Sequence, residues 1–213
     1  MNQPTAAGQS PPATVFVVDD DPRVRKVLAH HLRAAGYSVQ EFVSALEFMV
    51  RPHDGPGCIV LDLEMPGMSG LEMQEKLAGA DCRMPIVFMT GKGDIPASVK
   101  AMKNGAVDFL MKPFGKADIL AAVRTAIDKD RKQRQAGAAM AAAQRLIAAL
   151  TPREHEVMVR IIAGMLNKQV GGELGISDAT VKIHRGRVMA KLRVASVAEL
   201  VRLAGHAKGL VWE

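Results

Sequence analysis

Cys58-Ile59-Val60-Leu61-Asp62 is apolar at each of its first four positions and ends on a carboxylate. A strand with one face in water would alternate polar and apolar residues, so this run reads as a strand covered on both faces, the situation of a parallel sheet sandwiched by helices. Val15–Val18, Ile86–Met89 and Val107–Met111 have the same character, and Tyr37–Phe42 alternates as an edge strand would. Between them, Arg23–Ala35, Gly70–Leu77, Ala97–Lys103 and Lys116–Asp128 carry apolar residues at helical spacing. Strand and helix alternating five times predicts an α/β domain, a doubly wound five-stranded parallel sheet.

In such a sheet the functional crevice lies beyond the carboxyl ends of the strands, and the polar residues of interest fall there. Asp19 and Asp20 follow the first strand, Asp62 ends the third, Thr90 follows the fourth and Lys112 the fifth. Asp19, Asp20 and Asp62 together would repel one another unless a cation neutralised them, and an all-oxygen site suits Mg²⁺ (or Mn²⁺). Phosphoryl transfer needs an in-line nucleophile and charge stabilisation on the equatorial oxygens. Asp62 fits the nucleophile, the metal and Lys112 the electrostatic clamp, and Thr90 a hydroxyl donor to the phosphoryl group. Asp21, before Pro22 and a helix, reads instead as an N-cap, and Met65–Gly70 as a turn. Gly91-Lys92-Gly93 lacks the spacing of a nucleotide-binding loop.

The chain has 213 residues, enough for two modest domains. Residues 1–130 carry 14 Lys and Arg against 16 Asp and Glu, net −2; residues 131–213 carry 14 against 6, net +8. A small basic C-terminal domain points to a polyanionic partner, most often nucleic acid, with double-stranded DNA implied by the resemblance given below. The expected layout is a disordered tail over 1–13, an α/β domain over 14–130, a helical linker over 131–147 and a helical domain over 148–213. Two cysteines, Cys58 and Cys82, form no C-x-x-C pair and are expected as reduced thiols in a cytoplasmic protein. No apolar run approaches the roughly 20 residues needed to span a bilayer.

Within the last segment, Thr151-Pro152-Arg153-Glu154 sets an N-cap, a proline at the first helical position and a capping-box glutamate in register. Ser177 and Ser196 read as further N-caps, so four short helices are expected. Residues 167–192 read as helix, tight turn at Gly175, helix. At about 100° per residue, Val181, Val188 and Leu192 share the inward face. The opposite face carries Lys182, Ile183, Gly186, Arg187 and Ala190, a combination suited to a major groove.

The patterns Val17-Val18-Asp19-Asp20-Asp21, Leu61–Gly70, Met89-Thr90-Gly91 and Lys112-Pro113-Phe114 resemble the receiver domain of two-component response regulators. Gly93–Pro96 and Ala101–Phe109 are similar to the FixJ-type branch. Leu150–Glu154, Asn167–Val170, Leu174–Ser177 and Thr180–Met189 resemble the LuxR-type helix-turn-helix of NarL/FixJ regulators. The resemblance implies a flavodoxin-like receiver linked to a four-helix DNA-binding domain. It implies that a sensor histidine kinase phosphorylates Asp62, and that Asp19, Asp20, Asp62 and the Glu64 backbone carbonyl hold the metal. Lys112 would precede a cis-proline, and Thr90 and Phe109 would form the switch pair. It further implies a homodimer on phosphorylation through the helix and strand spanning about 96–111, and DNA contacts by Thr180, Lys182, Ile183, His184, Arg187 and Lys191. Ser196–His206 would be the DNA-bound dimer helix, and RNA polymerase a further contact. Glu64 and Lys92 occupy positions that tune phosphate lifetime in receivers. Gly171-Gly172 stands where the family has helix-favouring residues; each glycine costs on the order of 1 kcal/mol against alanine, so a soft scaffold helix is expected.

The enzymatic alternative is a phosphatase or hydrolase working through an aspartyl-phosphate at Asp62. Glu64 supplies a second acid two residues on, but no insertion is large enough for a substrate cap. A small-molecule-sensing LuxR protein would need a ligand-pocket domain, and the acidic site argues against it. The chain therefore reads as a phosphoryl-accepting transcription switch rather than an enzyme, with slow autodephosphorylation as its only turnover.

Overall fold

The computed structural model describes residues 13–207 except 52, 54, 81 and 92–94. The expected tail, apart from Ala13, and Lys92 lie outside the described residues. The chain divides between Gln133 and Arg134 into two compact units. In the first, strands β1 (Thr14–Val18), β2 (Ser38–Phe42), β3 (Gly57–Asp62), β4 (Ile86–Thr90) and β5 (Asp108–Met111) form one sheet. Its order is β2-β1-β3-β4-β5 and every pairing is parallel. The helices are α1 (Pro22–Ala34), α2 (Ala45–Met49), α3 (Gly70–Gly79), α4 (Ile95–Lys103) and α5 (Lys116–Ala148). This is the expected doubly wound, flavodoxin-like architecture.

Alternation along each central strand splits the core in two. Phe16, Val18, Ile59, Leu61 and Phe88 pack with Phe42, Phe48 and Met73 on one face. Val15, Val17, Cys58, Val60, Val87 and Met89 meet Leu28, Leu32, Ile119 and Val123 of α1 and α5 on the other. Two expectations need correction. The apolar run Val107–Met111 predicts burial on both faces, yet β5 is the second edge of the sheet and Met111 is 58% exposed. α2 was not expected, because five residues are too few to display a helical period; Ser44 caps it by accepting from Glu47 N. α5 runs without a break through the segment read as a linker, and residues 131–138 on it are all exposed.

The second unit contains α6 (Pro152–Ile162), α7 (Asn167–Leu174), α8 (Asp178–Leu192) and α9 (Val197–His206). Ala143 and Ile147 at the end of α5 join its core, with Val157, Met158, Ile161, Val170, Val181, Val188, Leu192 and Leu200. Every expected cap is made: Thr151 with Glu154 forms a capping box on α6, Ser177 accepts from Thr180 N, and Ser196 from Glu199 N. Gly175 ends α7 in the left-handed region at φ 66°.

The glycine pair in α7 is not uniformly softening. A Cβ on Gly171 would stand 2.7 Å from the Ile176 carbonyl oxygen, whereas one on Gly172 would meet nothing within 4 Å. Gly171 is therefore required by the close approach of the turn into α8. We expect Gly172→Ala to stabilise this unit by about 1 kcal/mol through helix propensity. Gly171→Ala should destabilise it by about 1–3 kcal/mol through overpacking. Thermal denaturation of the two variants checks the opposite signs.

Candidate functional sites

The register of the sheet builds the first site. Val18 pairs with Leu61, so Asp19 emerges beside Asp62; Asp62 pairs with Met89, so Thr90 lies one step further; Thr90 pairs with Met111, so Lys112 lies one step beyond that. Four strand ends thus bring together residues separated by up to 93 positions. Asp19, Asp20 and Asp62 each offer an oxygen, all within 4.8 Å of one another. Asp19 is fully buried, Asp62 is 7% exposed, and Asp20 is exposed. Lys112 Nζ lies 2.7 Å from Asp19 Oδ2 and 3.2 Å from Asp62 Oδ2. The Lys112–Pro113 bond is cis.

The electrostatics are those of a site short of positive charge. Three carboxylates against one ammonium leave a formal −2. Burial pushes the Asp62 carboxyl above its ordinary value; Lys112 pulls against this and the Asp19 charge adds to it. For Lys112, burial works to lower the pKa. The Asp19 hydrogen bond and the charges of Asp62 and Asp19 outweigh it, holding the ammonium above its ordinary value. Asp19 already accepts from Asp21 N at 2.8 Å through Oδ1 and from Lys112 through Oδ2. An all-oxygen cluster with residual negative charge fits a hard divalent cation, so the acidic site can hold a metal ion.

Thr90 is fully buried at the end of β4. Phe109, on edge strand β5, is partly buried, with its ring centroid 6.4 Å from that of Phe88. Glu64 is exposed two residues past Asp62. Asp21 caps α1 by accepting from Arg23 N at 2.8 Å, as expected from its place before Pro22. Two residues of this site escaped the sequence reading. Arg25 Nη1 donates to the carbonyls of Asp19 at 2.7 Å and Asp20 at 3.0 Å, fixing the acidic turn. Gly70, expected as the end of a turn and the start of a helix, abuts Asp62: a Cβ there would collide with the Asp62 carbonyl oxygen. No sequence signal separates Arg25 from its basic neighbours on α1; the glycine at the first position of α3 was a visible but unspecific one.

The second site is α8. Val181, Val188 and Leu192 are buried, and Lys182, Ile183, Gly186, Arg187 and Ala190 are exposed, as the helical count requires. Ile183 is 56% exposed. The Thr180 hydroxyl lies 2.8 Å from Ser177 Oγ, and His184 is half-buried. Arg185 Nη1 donates to Asn167 Oδ1 at 3.2 Å, tying α8 to the start of α7. Lys191 Nζ donates to Glu154 Oε2 at 2.6 Å.

Residues 15–124 match the family model of the response regulator receiver domain, and residues 148–204 match that of bacterial regulatory proteins of the luxR family. The chain belongs to the LuxR-type response regulators. It is 47% identical to nodulation protein W of Bradyrhizobium diazoefficiens over 193 residues, 90% of this chain and 85% of that protein. It is 43% identical to the transcriptional regulatory protein FixJ of Azorhizobium caulinodans over 192 residues, 89% of this chain and 90% of that one. Among solved structures, response regulator StyR matches with a TM-score of 0.82 at 46% identity, covering 91% of this chain and 98% of that chain. The regulator's two units thus carry a receiver and a DNA-binding domain, the equipment of two-component transcription regulation. A receiver implies a histidine kinase as its partner. The phosphatase alternative finds no support among these relatives. Among the described residues, no helix is long and apolar enough to cross a membrane.

Proposed function

We propose that the regulator is a cytoplasmic, phosphorylation-switched dimer in which Asp62 is the phosphoryl acceptor. The observation that carries this is the convergence of Asp19, Asp20, Asp62 and Lys112 at adjacent strand ends. An Asp62 carboxylate oxygen attacks the phosphorus of a kinase phosphohistidine, the P–N bond breaks, and the imidazole leaves with the electron pair. Lys112 offsets charge on the phosphoryl oxygens and the Thr90 hydroxyl donates to one of them. Mg²⁺, or Mn²⁺, would be held by Asp19, Asp20, Asp62 and the Glu64 carbonyl, and would shield the incoming group from the carboxylates. The kinase approaches over an open, largely apolar groove of about 310 Å³ next to this cluster, where Val24, Val27, Leu28, Pro113 and Phe114 lie between the cations Arg23 and Lys112.

Readout runs through Thr90 and Phe109. Thr90 moves toward the phosphoryl group, and Phe109, on the half-exposed edge strand, turns into the space it vacates. Next to that ring, α4 and β5 expose Ile95, Val99, Met102 and Met111, an apolar face suited to a second copy of the chain. In this reading residues 14–130 act as the receiver, 131–147 as the connecting helix and 148–213 as the DNA head. Thr180, Lys182, Ile183, His184 and Arg187 of α8 contact the major groove, and α9 pairs the DNA-bound heads. Pairing makes the second DNA contact intramolecular and multiplies affinity; RNA polymerase is a downstream contact. Light scattering and gel-shift titration with acetyl phosphate and Mg²⁺ test this. The expected results are conversion from monomer to dimer and at least tenfold tighter binding to a duplex carrying two half-sites. An unchanged mass together with unchanged affinity overturns the switch.

A further inference from the structure

We propose that Lys191 is a positioning residue, which holds the recognition helix α8 against the capped start of α6 and makes no phosphate contact of its own. This rests on the reading of α8 as the DNA-contacting helix. Counting along α8 places Lys191 one turn beyond Arg187, in the last turn of the helix. Its ammonium is engaged 2.6 Å from Glu154 Oε2. That carboxylate belongs to a residue 3% exposed, and the same oxygen accepts from Thr151 N at 2.8 Å while Thr151 Oγ1 accepts from Glu154 N. The three residues form a closed unit in which a charge from α8 completes the N-terminal capping box of α6.

The pair has two consequences for DNA. A lysine neutralised by a carboxylate at contact distance releases no counterion from the duplex, because the pair carries no net charge. It also fixes the C-terminal end of α8, while Arg185 and Asn167 tie its middle to α7. The angle at which Lys182, Ile183 and Arg187 meet the duplex is therefore set at two points along the helix. The Glu154 carboxyl is held down at about 2, first by the Lys191 hydrogen bond and then by the Thr151 amide, which agrees with an ion pair maintained across the physiological range.

Salt dependence separates a positioning lysine from a phosphate contact, since each neutralised phosphate contributes about 0.9 to the slope of log K against log salt. The full-length chain is titrated with a duplex it has selected from a randomised library and with a random-sequence duplex of equal length. Lys191→Met is expected to leave the slope on random duplex unchanged and to reduce discrimination between the two duplexes on the order of tenfold. Lys191→Arg should restore discrimination. Glu154→Gln frees the ammonium and should steepen the slope by up to about one. A slope lowered by about one in Lys191→Met, with discrimination intact, overturns the proposal. Thermal unfolding of Glu154→Gln, Lys191→Met and the double variant gives a test independent of DNA. Coupled, non-additive losses are expected and additive losses overturn the pairing. Should the wild-type chain bind no duplex, the reading of α8 fails while this cycle still decides the role of Lys191.

Discussion

Asp62→Asn is expected to abolish incorporation of a phosphoryl group from acetyl phosphate and, at the same time, to raise the thermal midpoint of the metal-free receiver. The first effect follows from chemistry: an amide nitrogen or oxygen in place of the carboxylate removes the attacking nucleophile. The second follows from electrostatics. The folded-state pKa of Asp62 lies above its unfolded value because burial disfavours the charge and Asp19 repels it, with Lys112 only partly opposing. A carboxyl shifted upward binds its proton more tightly in the folded state, so stability falls as pH rises from the unfolded value through the folded one. Above that window the penalty is complete and asparagine removes it. Below the unfolded carboxylate value of about 4 the group is neutral in both states, and the advantage of the variant should vanish. Mg²⁺ should narrow the gap at neutral pH, because it stabilises by mass action only the folded chain that binds it. Phosphate incorporation followed by mass spectrometry and unfolding scans across pH check both halves. Wild-type stoichiometry in the variant would place the acceptor elsewhere, and an unchanged midpoint at neutral pH would mean that Lys112 fully offsets the burial of Asp62.

The sheet was legible in the sequence because burial on both faces leaves a crude mark, an uninterrupted apolar run, and because the crevice of such a sheet lies at strand ends. Once five runs were placed, Asp19, Asp62, Thr90 and Lys112 needed only parallel register to meet. The α8 faces were legible for the same reason: a helix of 15 residues is long enough to display its period. What stayed hidden depends on single atoms across long separations. Arg25 reaches two backbone carbonyls that any sequence would supply. Glu154 and Lys191 lie 37 positions apart on two different helices. Gly70 and Gly171 look like any turn or helix glycine until the carbonyl opposite each is known. The edge status of β5 is a property of strand order, which a single run does not encode.

Lys182→Ala and Arg187→Ala should weaken DNA binding in different ways. Both side chains are exposed on the face of α8 opposite Val181, Val188 and Leu192, so neither substitution removes core packing. Alanine is also a good helix former, and the second unit should keep its unfolding midpoint. Lys182 lies in the first half of α8, near its N-terminus, where an ammonium acts as a point charge on phosphate. Its loss should weaken binding nearly uniformly across sequences and reduce the salt slope by about one. Arg187 carries a planar fork able to meet two acceptors on a guanine edge, so its loss should cost about 1–3 kcal/mol on the selected duplex and relax discrimination at one base pair. With Arg187 removed, phosphorylation at Asp62 should proceed unchanged, since the acceptor cluster draws every member from strands and loops of the first unit. Titrations of both variants on selected and random duplexes over a range of salt, run beside acetyl phosphate labelling, separate the two roles. Equal losses on both duplexes for Arg187→Ala would make it a backbone contact, and unchanged affinity in both variants would remove α8 from the DNA interface altogether.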